Sequence, residues 1–494
     1  MLSPVVLVFI LCFLYLWLKY GRVRSSSHPL PPALPGKLPI VGHGYLLLQY
    51  FTNLQDLLKY AAEDCTKQGG VTYLNFGREL CYLIIDPEDS LTAANLCTQR
   101  HHFFDFGKEW MGDGLLISSG EVWKRHRKLV IPAFTLPVVH RFLDVFNSQS
   151  KKLASSMEPH VGKGSFDQFP YLKINALETL CIGTFGINPI DDVEFMQRYM
   201  KAVDTMIDLG VTKVVKFWLK SDLIYRLAGL KKKEEEALST LHAMANAVLQ
   251  RKITARRHET LNKHIEPDMA VTGNKYKPFL DLILDLSENG ALTEKEIRDE
   301  MNSFITAGYE TTSNQLTSIL VLIGAHPYVQ EKMYQELLEI LGPDGNVEKD
   351  DVNKLIYTNA VLMECLRLYP SVPIIARSVL QDSKLKNYTM RAGSHCFIFP
   401  LATHLGPTWG AESDKFRPER WLDGDFINNK EFAAFGLGKR SCIGKTYSMI
   451  SMKVTLAHFL RRYRVKSDVS KLKMKYDFVM KPVSGHEISL ERRT

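Results

Sequence analysis

The chain has 494 residues, 45% of them hydrophobic and 10% aromatic, which is enough for a large buried core and too apolar for a disordered chain. Its 62 basic and 54 acidic residues leave a formal net charge of +8, a modest excess spread along the whole length. No basic stripe interleaved with aromatics is present, which argues against a nucleic-acid partner, and no repeat with a period of about 20–50 residues argues for a solenoid or propeller.

Residues Met1 to Leu18 carry no charged side chain and are nearly all apolar; Lys19, Arg22 and Arg24 follow. The run approaches the roughly 20 residues that span a bilayer. It lacks the basic n-region and the cleavage site of a removed signal. An uncleaved transmembrane anchor is expected over residues 1–20, and the positive flank on its C-terminal side puts the body in the cytosol. Residues 21–42 hold His28-Pro-Leu-Pro-Pro-Ala-Leu-Pro-Gly36 and Leu38-Pro-Ile-Val-Gly42, too much proline for a helix. They read as a stiff linker, and residues 43–494 as one globular body.

Val71 to Phe76 and Leu80 to Ile85 are β-rich runs around Gly77, a hairpin pattern, and Asp86-Pro-Glu-Asp89 opens a helix. Cys97-x-x-x-His101-His102 has metal-ligand residue types, but no further ligands stand nearby in the sequence, so it reads as structural. Trp123 and Arg127 lie one helical turn apart and offer two donors suited to a carboxylate. From about residue 141 to 340 the pattern is mainly helical. Within it, Val214, Val215, Phe217, Trp218 and Leu219 mix with Lys213, Lys216 and Lys220, which fits either an interfacial element or a partly buried helix.

Thr293-x-x-Glu296 is a capping box ahead of a helix that runs to about Gly324. Mid-helix stands Ala307-Gly308-Tyr309-Glu310-Thr311-Thr312. Threonine hydroxyls can divert helix hydrogen bonds, and an acid beside a hydroxyl can relay protons. A surface glutamate with core threonines is the plainer reading. A further helix follows Pro327 through Leu341. Glu364-x-x-Arg367 is an i,i+3 pair among apolar neighbours, so its burial is expected. Turn and strand features occupy residues 380–400, residues 402–435 have little periodicity, and a last helix is expected over about 443–463. The fold class is therefore mainly α with minor β. The eight cysteines, Cys12, Cys65, Cys81, Cys97, Cys181, Cys365, Cys396 and Cys442, form no CxxC pair and suit a reducing compartment.

The most specific segment is Phe435-Gly-Leu-Gly438-Lys-Arg440-Ser-Cys442-Ile-Gly444. Its glycines permit tight turns and close approach of a flat ligand, and a cysteine at a helix start is expected to have a lowered pKa. The segment resembles the haem-binding loop of the cytochrome P450 family, F-x-x-G-x-R-x-C-x-G, at every fixed position. The resemblance extends from the anchor to near the C-terminus, with the family's other motifs in order, and is strongest to the clan of fatty-acid ω-hydroxylases and related insect enzymes. It implies the cytochrome P450 fold and a haem-thiolate monooxygenase whose iron is bound by Cys442.

By the same resemblance, Phe435 packs by the sulfur and Gly444 leaves room for the macrocycle. Arg440, Trp123, Arg127 and Arg377 are implied to bind haem propionates. Ala307, Gly308, Glu310 and Thr311 match the oxygen-activating segment, with Thr311 and Glu310 in catalytic roles. Glu364 and Arg367 are implied to lock onto Arg420 or Arg417, with Arg420 favoured by spacing. Ala307 replaces a glutamate that can esterify haem in that clan, so the expected cofactor is non-covalent haem b. Implied partners are an NADPH-cytochrome reductase, with cytochrome b5 as a further donor, membrane lipid and a lipophilic small-molecule substrate. The implied location is the endoplasmic reticulum membrane. Substrate selectivity is expected around residues 100–116, 206–218 and 372–376. A haem-thiolate isomerase or dehydratase, or a non-catalytic haem-binding protein, are the competing readings.

Overall fold

The computed structural model describes residue 15 and residues 29–39, 41–50, 54–187, 193–265, 278–422 and 431–493. Among the described residues no helix is long and apolar enough to cross a membrane. The anchor expected at residues 1–20 lies, Tyr15 apart, outside them, as does the first part of the linker.

The later part of the proline-rich segment is docked on the body. Leu34 N–H donates to Tyr73 O at 2.8 Å and Tyr73 N–H donates to Pro32 O at 3.0 Å. His43 reinforces this join, with Nε2 at 2.7 Å from Leu34 O and Nδ1 accepting from Asn75 N–H at 2.9 Å. Proline cannot donate to a ladder, so such a segment can only line a sheet edge.

That edge belongs to β1 (Val71–Phe76), which forms the expected hairpin with β2 (Glu79–Ile84) through Gly77 at φ +60°. Three later strands complete a five-stranded sheet: β3 (Gln99–Arg100), β4 (Ile375–Ser378) and β5 (His395–Ile398), in the order β1-β2-β5-β4-β3. β5 runs parallel to β2, with Cys81 opposite His395, while β4 is antiparallel to both neighbours. In that register Arg377 faces Arg100 on one side and Cys396 on the other.

The rest is mainly helical, in line with the sequence. The helices that matter below are α1 (Pro87–Leu96), α2 (Gly120–Val130), α3 (Leu143–Met157), α4 (Phe169–Leu180), α5 (Val193–Val215), α6 (Glu294–Ala325), α7 (Ile356–Leu368) and α8 (Lys445–Arg462). Asp86 caps α1, accepting from Asp89 N–H at 2.9 Å. The capping box of α6 is present: Thr293 Oγ1 accepts from Glu296 N–H at 3.2 Å, and Glu296 Oε2 accepts from Thr293 N–H at 2.8 Å.

At 32 residues α6 is about 48 Å long and runs through the core. Its closest neighbour is α4, where a Cβ on Gly308 would stand 2.7 Å from a Leu180 methyl. Glycine at 308 therefore lets the two helices approach closely, since any larger residue would push the Leu180 side chain aside. From 299 to 324 every position of α6 is buried except Ala307, Gly308 and Thr311.

Candidate active site

The Cys442 loop is built by backbone hydrogen bonds and two left-handed glycines. Cys442 N–H donates to Phe435 O at 2.8 Å, closing the loop. Gly436 and Gly438 have φ of +73° and +62°, and a Cβ on Gly438 would meet the Ala94 carbonyl of α1 at 2.9 Å. The loop is thus pressed against the end of α1, and only glycine fits at 438. Gly444 differs: its φ is ordinary, and an added Cβ would meet only the Cys442 sulfur, at 3.8 Å. Among the described residues no contact demands glycine there, and the space beside the sulfur is open.

Cys442 is the one accessible cysteine among the seven described; the other six are buried. Its thiol is nonetheless pushed up, because burial outweighs the Gly444 N–H and the cations Arg127 and Lys445. This corrects the expected lowering. Helix α8 begins only at Lys445, capped by Gly444, so Cys442 precedes the helix start where free N–H groups are strongest.

Basic side chains gather beside this loop. Arg127 Nη2 donates to Ser441 O at 3.0 Å, and the Arg440 guanidinium lies 4.5 Å from the buried Trp123 ring. Arg440 Nη2 donates to Ser118 O, yet its Nε and Nη1 are buried with no partner among the described residues. Arg377 spends Nη1 on Ala376 O at 2.8 Å and leaves Nε unpartnered. Arg100, absent from the sequence-derived site, is the third of the set, with its Nε also unpartnered.

Burial lowers the pKa of all three arginines. Mutual repulsion adds to this at Arg100 and Arg440, the latter reaching about 9. Buried like charges with idle N–H groups are costly unless an anion answers them. The donor set fits a pair of carboxylates, as haem propionates would be, and the accessible Cys442 could offer a single soft ligand. Arg100 could have been found from the strand register, since it faces Arg377 across β3 and β4.

On α6, Ala307, Gly308 and Thr311 form one open patch, at helical spacing i, i+1, i+4, in an otherwise buried stretch. Thr311 Oγ1 donates back to Ala307 O at 2.8 Å. Its own carbonyl accepts from Ser371 Oγ at 3.2 Å. Glu310 does not bond Thr311. Its buried carboxylate accepts from Asn314 Nδ2 at 3.1 Å and faces Lys173 of α4 at 3.5 Å. Lys173 continues to Asp204 at 3.0 Å, and Asp204 to Lys481 at 3.1 Å.

The Glu364 carboxylate of α7 takes five hydrogen bonds: two from Arg367, one each from Arg420 Nε and Trp421 Nε1, and one from the Arg417 backbone. Arg367 also donates to the carbonyls of His404, Ser413 and Lys415. All charges are paired, which is the condition for tolerating such a buried network. The side-chain partner is Arg420, as the spacing favoured.

A family model described as Cytochrome P450 matches residues 31–489. The mouse protein named Cytochrome P450 4V2 is 32% identical over 485 residues, covering 96% of this chain and 91% of its own. A cockroach protein (Blattella germanica), Cytochrome P450 4c21, is 28% identical and is covered over 99% of its length by all of this chain. Cytochrome P450 4c3 of Drosophila melanogaster is 29% identical over 83% of this chain and 80% of its own.

Proposed function

This chain belongs to the cytochrome P450 family and is a haem-thiolate monooxygenase, and on that premise we propose that it oxidises a lipophilic small molecule with electrons from NADPH delivered by a membrane-bound reductase. The observation that carries this reading is the accessible Cys442 sulfur near guanidinium groups whose buried N–H donors have no partner among the described residues.

Haem b supplies the activation of dioxygen; the protein supplies binding, orientation and protons. Cys442 would ligate the iron, and Arg440, Arg377, Arg100, Arg127 and Trp123 would hold the propionates. Thr311 is the sole hydroxyl on the open patch of α6, so its Oγ1 would hold a proton at the reacting face, releasing Ala307 O when it does so. Glu310, next in sequence but not bonded to Thr311, would deliver protons towards this face and regain them from the Lys173–Asp204–Lys481 series, which ends at the partly exposed Asp204 and Lys481. Ala307 has no carboxylate to esterify haem, which supports non-covalent attachment.

A groove of about 640 Å³ beside the Cys442 loop supports a docked electron donor; Trp123, Lys124, Arg127, Lys128 and Lys439 line it. Its basic rim suits an acidic protein surface, whether that of a reductase or of cytochrome b5. Residence at the endoplasmic reticulum membrane is supported by a cluster of exposed apolar side chains, Phe217, Trp218, Leu223 and Leu227, next to Lys216 and Lys220. Lys213 is not part of that surface; it turns in to Glu234 at 3.0 Å.

The test is spectroscopic and kinetic. Reduced holoprotein with carbon monoxide is expected to show the long-wavelength band of sulfur ligation, absent in Cys442→Ala. Turnover of a bound lipophile is expected to need NADPH and reductase. A band typical of nitrogen ligation, or turnover of a peroxide substrate without NADPH, would overturn the reading.

A further inference from the structure

Three histidines meet at one end of the sheet, next to the strand residues Arg100 and Cys396. His101 follows β3, His102 begins the next short 3-10 turn, and His395 opens β5. One ring nitrogen from each lies within 4.8 Å of the other two. The His101 ring centroid is 4.2 Å from those of both His102 and His395.

The nitrogens are poised unevenly. Ser378 Oγ donates to Arg100 O at 3.3 Å and sits 3.2 Å from His395 Nδ1, an arrangement in which Nδ1 can donate to the hydroxyl oxygen and Nε2 can offer a lone pair. His102 Nε2 has no hydrogen-bond partner among the described residues and lies 3.9 Å from Glu79 Oε2. His101 is buried, its Nε2 is unpartnered, and its Nδ1 accepts from Phe103 N–H at 3.0 Å. Burial pushes all three imidazoles below their ordinary value, His101 to about 2, so at neutral pH they are in the uncharged form that ligates metals. His102 and Glu79 are partly exposed, which gives an ion a path from solvent.

We propose that His101, His102 and His395 bind one zinc ion, with Glu79 available as the fourth ligand. Zinc takes neutral imidazoles and carboxylates at about 2.0–2.2 Å in tetrahedral array, which sets ligand nitrogens roughly 3.3 Å apart. Closing the cluster from its present spacing needs side-chain shifts of little more than an ångström. A neutral imidazole has one lone pair, so His101 must give up its Phe103 bond, which costs one neutral hydrogen bond. Lys220 opposes a cation here and Glu79 favours it. The sequence alone hides the site because His395 stands almost 300 positions from its partners.

The experiment uses the full, haem-loaded chain without a histidine tag. Equilibrium dialysis against micromolar Zn2+ is expected to retain one zinc per chain. Zinc-edge X-ray absorption is expected to report three imidazole ligands. In the double variant H102Q/H395Q the affinity is expected to fall by about 100-fold or more, and in Glu79→Gln by about 10-fold, with haem content and the reduced carbon-monoxide band unchanged. If the double variant folds poorly, H102Q alone, at a partly exposed position, is expected to lose at least about 10-fold. No retained zinc, or zinc held equally well by folded variants, would overturn the proposal.

Discussion

His126 Nδ1 lies 2.6 Å from Glu300 Oε1, with both side chains wholly buried, and this contact ties α2 to α6. Glu296 approaches the other ring nitrogen at 3.2 Å. Burial alone would lower His126, but the hydrogen bonds and charges of Glu300 and Glu296 outweigh it and hold the imidazole above its ordinary value. A raised histidine stabilises the fold fully below its unfolded pKa of about 6.5 and loses that contribution as pH climbs through the folded pKa. Glu296 has the opposite sign: held near 2, it contributes above the unfolded value and fails only in acid. The denaturation midpoint of His126→Gln should therefore fall furthest below wild type at about pH 6, with the gap narrowing by pH 8.5. A gap that widens with pH would show that His126 is neutral in the fold.

Glu364→Ala leaves Arg367 and Arg420 buried without their anion. The expected loss is about 3–5 kcal/mol, read as a collapse in the yield of haem-loaded protein. Arg420→Ala should resemble it. Arg417→Ala should stay within about 0.5 kcal/mol of wild type, because Arg417 reaches Glu364 only through its backbone.

Arg377→Leu and Arg100→Leu each remove a guanidinium whose Nε has no partner among the described residues. A charge-assisted hydrogen bond is worth about 1.5–3 kcal/mol, so haem loss to a scavenging apoprotein should quicken by about 10- to 100-fold. Equal rates in wild type and both variants would detach these arginines from the propionates.

Thr311→Ala deletes the hydroxyl on the open patch of α6 and nothing in the Cys442 loop. Haem content and the reduced carbon-monoxide band should persist. Product formed per NADPH consumed should drop by about 10-fold or more, the missing electrons emerging as peroxide. Measuring NADPH, product and peroxide together checks the balance.

Charge reversal at Lys128, on the rim of the groove by the Cys442 loop, should slow reduction by the reductase by about 10-fold at low salt and less at high salt. Substrate affinity should not move.

Features carried by contiguous spacing were readable in advance: the Cys442 loop, the Thr293–Glu296 capping box, the β1–β2 hairpin and the Glu364–Arg367 pair. What depends on distant segments meeting was not. Arg100 joins the arginine set only through a strand register that spans most of the chain, and Lys173 reaches Glu310 from another helix. The upward shift at Cys442 departs from the expectation because burial, which wins there, has no signature in local sequence.

Trp123 and Arg127 line the outer groove, while Arg127 grips Ser441 and Trp123 stacks near Arg440. On the proposed function, the same two side chains would serve both the surface where a partner docks and the interior where the prosthetic group is held. Neither can be tuned for one task without disturbing the other. Divergence between relatives in choice of electron donor should accordingly be written in the outer lysines, with the tryptophan and arginine left unchanged.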